Sequence, residues 1–221
     1  MKTNEYLYGN SYPGRLIVAG VTPSGKTLYA YAIMGRSANS RNRVFEVVDG
    51  EVWTKAYDES LVQDPSLMIY PAILKCKGNI IVANGDQSLD MKNAEEAGKS
   101  FREGLYNREF EPDAPNYTPR ISAYVKSGII SFAINRRLPD GSCERKVWDY
   151  WKNPGELHII HTYECDGNPL PSFVGAPRLL EAEDDYARKL WDSLDRDNRI
   201  SLYVMEGDKE TVFNARLEEN A

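Results

Sequence analysis

The chain has 221 residues, of which 42% are hydrophobic and 27% charged, a composition typical of globular proteins and unlike that of disordered chains. Its 27 Lys and Arg against 33 Asp and Glu give a net charge of -6, so no overall positive field exists to attract nucleic acid or an anionic membrane. This length favours one domain over residues 1–221, in which any anionic ligand must be held by a local cluster of cations.

The cysteines and the apolar segments point to a reducing compartment. Cys76, Cys143 and Cys165 are odd in number and widely spaced, which predicts neither a disulfide framework nor a zinc site. The N-terminal segment lacks the apolar stretch of a secretory signal, and runs such as residues 80–83 are far too short to span a bilayer. We therefore expect a cytoplasmic protein.

Three hairpins are predicted before residue 84. Residues 15–34 contain two apolar strands joined by a turn with Pro and Gly. Asp49-Gly50, between β-branched and aromatic runs, is a strong signal for the turn of a second hairpin. Residues 68–83 repeat the arrangement around a Lys-Gly-Asn turn.

The second half of the chain mixes helices with further strands. A weakly apolar stripe from Ala94 to Leu105, at spacings of three and four residues, predicts one helix capped by Ser88 or Asp86. The remaining predicted elements are four strands of an antiparallel meander over 121–165, a helix over 179–194 that includes Leu180, and strands over 199–206 and 210–217. Many strands and only two substantial helices predict an α+β fold, a four-layer αββα sandwich of two antiparallel sheets with helices outside.

The segment Gly20–Thr27, GVTPSGKT, matches the P-loop pattern of nucleotide-binding proteins letter for letter. A P-loop also requires a helix that starts at its Lys-Thr pair, because the amide groups at the helix N-terminus bind the phosphates. Residues 28–34 instead alternate as a strand does, and no convincing Asp for magnesium follows. A hairpin turn is therefore the favoured interpretation, and a P-loop nucleotide hydrolase is kept as an alternative.

A different set of segments resembles a known enzyme family. These segments are an early Gly-Arg before a hairpin, the RSANSRNR loop at 36–43, the NGD turn at 84–86, the TPRI strand at 118–121 and the late TYE at 162–164. Their order and wording resemble the archaeal-type inosine monophosphate (IMP) cyclohydrolases. The resemblance covers residues 14 to about 165, and the role of residues 166–221 stays open.

The resemblance implies a fold like that of the N-terminal-nucleophile hydrolases, without their self-processing. No Cys, Ser or Thr follows Met1 directly, and Thr3 stands two residues too late for such a nucleophile. The implied reaction closes a formylated aminoimidazole carboxamide ribotide to IMP with loss of water. It needs no metal and no other cofactor, its only ligand is the small-molecule ribotide, and the protein is expected to form a homo-oligomer that binds neither nucleic acid nor membrane.

Four catalytic residues are implied by the resemblance: Arg41, Tyr70, Asn84 and Glu111. A guanidinium suits a phosphate or a developing oxyanion, the phenol can donate to the formyl oxygen, and the amide can orient the carboxamide. Glu111 would accept the carboxamide proton, with Glu109 and Asp113 as substitutes. The competing interpretations are a core tyrosine, an ordinary Asn-Gly turn and a solvated acidic loop.

Substrate binding is assigned to six further residues, which either carry charge or lie in the same motifs: Arg36, Asn39, Gly85, Asp86, Arg120 and Thr162. His158 and His161 are excluded as a metal pair, since residues three apart on a strand face opposite sides. A third possible function is a non-catalytic relative that only binds purine nucleotides.

Overall fold

The computed structural model describes residues 1–62, 65 and 68–218. In this part of the chain the strands are β1 Leu16–Val21, β2 Thr27–Met34, β3 Arg43–Val48, β4 Glu51–Ala56, β5 Pro71–Cys76, β6 Asn79–Ala83, β7 Arg120–Val125, β8 Ile129–Arg137, β9 Cys143–Trp151, β10 Glu156–His161, β11 Arg178–Glu181, β12 Arg199–Glu206 and β13 Lys209–Asn214. The helices are α1 Thr3–Leu7, α2 Ala38–Arg41, α3 Gln87–Glu96, α4 Phe101–Tyr106, α5 Tyr186–Ser193 and α6 Ala215–Glu218.

The strands form two antiparallel sheets that pack face to face. The first has the order β11-β10-β1-β2-β12-β13, and the second runs from β3 to β9 in chain order. Side chains alternate along each strand, so Ile17 of β1 joins the core between the sheets while Leu16 points to the outer face. Val82 and Phe132 of the second sheet complete the core between the sheets. The predicted α+β class with antiparallel sheets is confirmed.

Helices cover the outer face of each sheet. Leu190 and Trp191 of α5 pack with α1 on the first sheet, and Met91 of α3 packs with Phe101 of α4 on the second. The layers therefore follow the order helices, sheet, sheet, helices. Within the described residues, we find no helix that has both the length and the apolar character to cross a membrane.

The predicted meander is wrong in its last strand. Strands β7, β8 and β9 are consecutive neighbours, but β10 leaves the second sheet and pairs with β1 in the first, with His161 opposite Leu16. The sequence of β10 explains this placement, because almost all of its residues are buried, whereas β9 is half-exposed along its length. A strand with two apolar faces needs cover on both sides, and a position between β1 and β11 provides it.

The two predicted helices also differ from the observed ones. The first is divided into α3 and α4, because Gly98 has a positive φ of 77° and the Ser100 hydroxyl accepts a hydrogen bond from the Arg102 amide at the start of α4. Asp86 stands at the N-cap of α3 without capping it through its side chain. In the second, Leu180 belongs to strand β11, so α5 is shorter than predicted.

The three predicted hairpins are confirmed, and the first contains the P-loop-like segment. The Thr22 amide donates to the Lys26 carbonyl at 2.9 Å, and β2 begins at Thr27. The structure therefore has a hairpin turn where a P-loop requires a helix N-terminus.

Candidate active site

A cavity of about 300 Å³ opens at one end of the sandwich, where β1, β3 and β7 begin and β10 ends. Its volume is at the lower end of the range found for small-molecule sites. The lining combines cationic, acidic and aromatic side chains: Tyr12, Arg15, Arg36, Ser37, Asn39, Ser40, Arg43, Met68, Glu111, Asp113, Asn116, Tyr163 and Leu170.

Two buried arginines form the positive part of this cavity. Arg15 precedes β1 and is only 8% exposed, while Arg43 is the first residue of β3 and is also buried. Burial, and next the like charge of Arg15, lower the pKa of Arg43 from its ordinary value. Nε of Arg15 is buried without a hydrogen-bond partner among the residues that the structure describes. A desolvated pair of cations with an unsatisfied donor is suited to receive an anion or a developing oxyanion.

Thr162 holds Arg15 in place. Its hydroxyl accepts a hydrogen bond from the Arg15 amide at 3.1 Å, and its own amide donates to the Arg15 carbonyl at 2.9 Å. A Cβ at Gly14 would lie 2.2 Å from this hydroxyl, so the close approach requires glycine there. Thr162 therefore positions a cavity residue and does not line the cavity itself.

Glu111 supplies a buried carboxyl beside the arginines. Its side chain is 3% exposed, and its amide donates to the Thr118 carbonyl at 2.8 Å. Burial raises the pKa of Glu111, and the charges of Arg15, Arg120 and Arg43 oppose that rise. Conversely, burial alone lowers the pKa of Arg15, but the Glu111 carboxyl and the surrounding tyrosines more than offset it and keep that pKa above its ordinary value. A carboxyl whose pKa is raised by burial is suited to exchange a proton with a bound ligand.

The two acidic substitutes for Glu111 have other surroundings. The Glu109 side chain is 64% exposed and faces Arg145 across 3.9 Å. Asp113 lines the cavity, but its carboxylate accepts hydrogen bonds from both the amide and the hydroxyl of Thr118. Glu111 is therefore the best placed of the three for proton transfer.

Tyr70 lies behind the cavity wall. It directly precedes β5, and its side chain is 1% exposed. Its hydroxyl shares a hydrogen bond of 2.8 Å with the hydroxyl of Tyr31. Tyr70 is close enough to Arg15 and Arg43 to influence the pKa of both. The phenol is thus part of the same charged cluster, one layer further in.

Asn84, Gly85, Asp86 and Arg120 form a second group next to Glu111. A guanidinium nitrogen of Arg120 donates to Asp86 at 2.9 Å and to Gln87 at 2.7 Å. The buried Asn84 amide bonds entirely within the protein: its oxygen accepts from the Ile121 amide at 2.8 Å and its nitrogen donates to the Pro119 carbonyl at 2.9 Å. None of these four residues lines the cavity, and Asn84 connects β6 to β7.

Side chains of the polar loop before β3 point in two directions, some toward the cavity and Arg41 away from it. Arg36 and Asn39 lie at the cavity rim, where Arg36 pairs with Asp166 and its guanidinium lies 4.8 Å from the ring centre of Tyr12. Arg41 is not in the cavity lining, because its guanidinium turns away and donates to the Asn198 side chain at 3.3 Å. Besides Arg36 at the rim, Arg43 is the arginine of this loop that lines the cavity.

Sequence reasoning therefore missed Arg15, Tyr12 and Tyr163 and preferred Arg41 to Arg43. One feature of the sequence could have identified the two arginines. Arg15 immediately precedes a strand and Arg43 is the first residue of another. A charged residue that is buried at the start of a strand needs a functional or an ion-pair partner.

We also compared this cavity with two other kinds of candidate site, a metal site and the larger clefts. No group of three His, Cys, Asp or Glu side chains able to hold a metal occurs in the described part of the chain. His158 stacks on Tyr150, while His161 faces the opposite side and its Nε2 lies 2.6 Å from the Tyr6 hydroxyl. Two larger clefts, of about 410 and 340 Å³, lie among the outer helices and have no buried arginine in their described linings.

Comparison with known proteins identifies a family. A family model described as IMP cyclohydrolase-like protein matches residues 12–211, which includes every residue of the cavity. A search of curated proteins found no match. Because the family model covers most of the chain, the protein belongs to the IMP cyclohydrolase-like family.

Proposed function

We propose that the protein is an IMP cyclohydrolase, which closes 5-formamidoimidazole-4-carboxamide ribotide to IMP with loss of water, the last step of de novo purine biosynthesis. One observation carries the proposal: a buried carboxyl, Glu111, faces two buried guanidinium groups, Arg15 and Arg43, inside one cavity. Family membership supports the same reaction.

The reaction needs positioning and proton transfer. The carboxamide nitrogen forms a bond to the formyl carbon, loses a proton, and the formyl oxygen gains one. In the second step the resulting hydroxyl leaves with a further proton as water, while the neighbouring nitrogen loses its proton and a C=N bond forms. Holding the two groups in contact supplies several kcal/mol, and a positioned acid or base contributes roughly 10²–10⁴-fold.

The cavity residues match these steps. Glu111 accepts the carboxamide proton, because a desolvated carboxyl with a raised pKa is a stronger base than an exposed one. Arg15 and Arg43 stabilise the negative charge that develops on the formyl oxygen. Tyr70 does not line the cavity, so its role is to relay a proton toward that oxygen without contacting it. Arg43 thus takes the role that motif position alone assigns to Arg41.

Substrate binding is assigned to residues at the cavity rim, and the residues of the second group hold Glu111 in place. Arg36 and Asn39 lie at the entrance, where a phosphate stays partly in water. Asp86, Gly85 and Arg120 lie next to Glu111, since a Cβ at Gly85 would lie 2.6 Å from the Arg120 guanidinium and 3.4 Å from a Glu111 carboxyl oxygen, and Arg120 pairs with Asp86. This close packing favours a fixed geometry for the carboxyl.

Three broader statements belong to the same proposal. The layered arrangement resembles the N-terminal-nucleophile hydrolases without self-processing, which is supported by the hydroxyl of Thr3 donating to Tyr186 in the outer layer, away from the cavity. The three cysteines are free, in keeping with a cytoplasmic enzyme. Strand β9, at the edge of the second sheet, offers a surface for a homo-oligomer.

Incubation of the purified protein with the formylated ribotide, with IMP followed by absorbance and chromatography, tests the proposal. We expect turnover that Glu111→Gln lowers by roughly 10²–10⁴-fold and that the matched exposed variant Glu109→Gln leaves unchanged. Stabilisation by IMP without any turnover would instead identify the non-catalytic purine-nucleotide binder.

A further inference from the structure

A second cluster of arginines lies outside the catalytic cavity. Arg41, Arg196, Arg199 and Arg216 surround a pocket of about 100 Å³, here called the arginine pocket, together with Asp197. It lies where α2, the loop after α5, the start of β12 and α6 meet. Four guanidinium groups line the pocket with Asp197, and the Asp192 carboxylate lies 3.6 Å from Arg199, which leaves a local excess of positive charge in a chain whose net charge is -6.

Arg41 is oriented by neutral groups, whereas Arg199 has both neutral and acidic partners. Arg41 donates to the Asn198 side chain at 3.3 Å and to the Arg36 carbonyl at 3.4 Å. Arg199 donates to the Trp191 carbonyl at 2.8 Å, lies 4.4 Å from the centre of the Trp191 ring and pairs with the Asp192 carboxylate at 3.6 Å. The two neutral oxygens hold the Arg41 guanidinium in position without cancelling its charge, so its positive potential stays directed into the pocket.

We propose that the arginine pocket binds a phosphate group, as inorganic phosphate or as the phosphate of a phosphomonoester. Several guanidinium forks around one small space are suited to the oxygens of phosphate. A volume of about 100 Å³, a third of that of the catalytic cavity, accommodates a phosphate but not a ribotide, so the remainder of an ester would extend into solvent.

The arginine pocket is separate from the catalytic cavity although both use the same helix. Ser37, Asn39 and Ser40 face the cavity, whereas Arg41 faces the arginine pocket. Arg196, Arg199 and Arg216 come from the last part of the chain, after the segments that build the cavity. The proposal therefore does not depend on the cyclohydrolase activity, and its test needs a readout that identifies the site directly.

Chemical protection gives this readout. The full chain is treated with phenylglyoxal, and modification of individual arginines is measured by peptide mass spectrometry at constant ionic strength. We expect phosphate to slow the modification of Arg41 and Arg196, relative to chloride, and to leave the exposed Arg188 of α5 unaffected. Ribose 5-phosphate and ribose form the other two arms. Protection by both phosphates assigns the phosphate group itself, protection by the ester alone assigns a phosphomonoester, and ribose is expected to have no effect.

A charge-matched pair of variants completes the test. Arg196→Gln removes one exposed guanidinium of the pocket, and Arg188→Gln removes one elsewhere. The phosphate concentration that half-protects Arg41 is expected to rise roughly tenfold in Arg196→Gln and to stay unchanged in Arg188→Gln, because a charge-assisted hydrogen bond is lost only in the first. Absence of protection in the unmodified chain, or equal effects of the two variants, would overturn the proposal whether or not the protein makes IMP.

Discussion

Tyr70→Phe removes one oxygen atom from the buried charged cluster of Tyr70, Arg15 and Arg43. The Tyr70 hydroxyl is 2.8 Å from that of Tyr31, and both side chains are buried. Without its partner the Tyr31 hydroxyl stays in the core unsatisfied, which costs about 1–3 kcal/mol. For a chain of this size each kcal/mol lowers the melting temperature by roughly 2–4 °C. The variant is therefore expected to fold and to melt a few degrees lower.

The same variant tests the proposed proton transfer to the formyl oxygen. Loss of a positioned donor lowers kcat/KM by roughly 10²–10⁴-fold. IMP formation measured at substrate concentrations far below KM reports this ratio, and calorimetry on the same sample reports the melting temperature. The two measurements together distinguish a catalytic defect from a loss of folded protein.

Tyr186→Phe is the matched control. Tyr186 is as buried as Tyr70, and its hydroxyl accepts a hydrogen bond from Thr3 at 3.1 Å, but it lies in the outer layer against α1. We expect a comparable fall in melting temperature with unchanged kcat/KM. The assignment of Tyr70 is refuted if Tyr70→Phe keeps its activity within about twofold, or if Tyr186→Phe loses as much activity as Tyr70→Phe.

Four further predictions concern other parts of the molecule. If Glu111 is the base, kcat/KM rises with pH as its carboxyl ionises, through a pKa that burial holds above the ordinary value; an acid limb at or below that value would contradict the assignment. Gly20→Ala would place a Cβ 2.1 Å from the Glu156 carbonyl oxygen, and the free energy of unfolding measured in urea should fall by about 1–3 kcal/mol. In the control Gly128→Ala the added Cβ meets nothing within 4 Å, and the free energy of unfolding should not change. Burial lowers the pKa of His161 to about 4 from 6.5, so the folded state binds its proton less readily than the unfolded state, and about 3 kcal/mol of stability should be lost as pH falls from 6.5 to 4. Unfolding curves of His161→Phe should lack most of that dependence. Lys26→Ala should leave stability and turnover unchanged, and loss of magnesium-dependent ATP binding in this variant would restore the P-loop hypothesis.

The hairpins were accessible from the sequence because their information is local. Alternating side chains and turn residues such as Asp49-Gly50 determine β3 and β4 without reference to distant parts of the chain. Glu111 was also accessible as a candidate, since it lies just before the TPRI strand of the family resemblance, but its burial was not predicted. Local patterns of this kind decide which strands form and which segments approach the site.

Sheet membership and side-chain direction were not accessible in the same way. Nothing local to β10 states that its partner is β1, which lies far away in the sequence. Arg41 and Arg43 stand two residues apart in one polar loop, and the short helix α2 turns the first away while β3 carries the second into the cavity. The directions of these two side chains depend on how α2 and β3 pack in the folded protein, and tertiary packing overrides the local conformational preference of the sequence.

The pairing of β10 with β1 also affects the order in which parts of the protein fold. The hydrogen bond between Arg15 and Thr162 spans 147 residues, so the pocket wall is complete only after distant strands have paired. Closing long loops delays such contacts during folding, whereas the hairpins of the second sheet pair with near neighbours and meet no such delay. Catalytic competence is thus expected to emerge last in refolding, after most of the secondary structure has already returned.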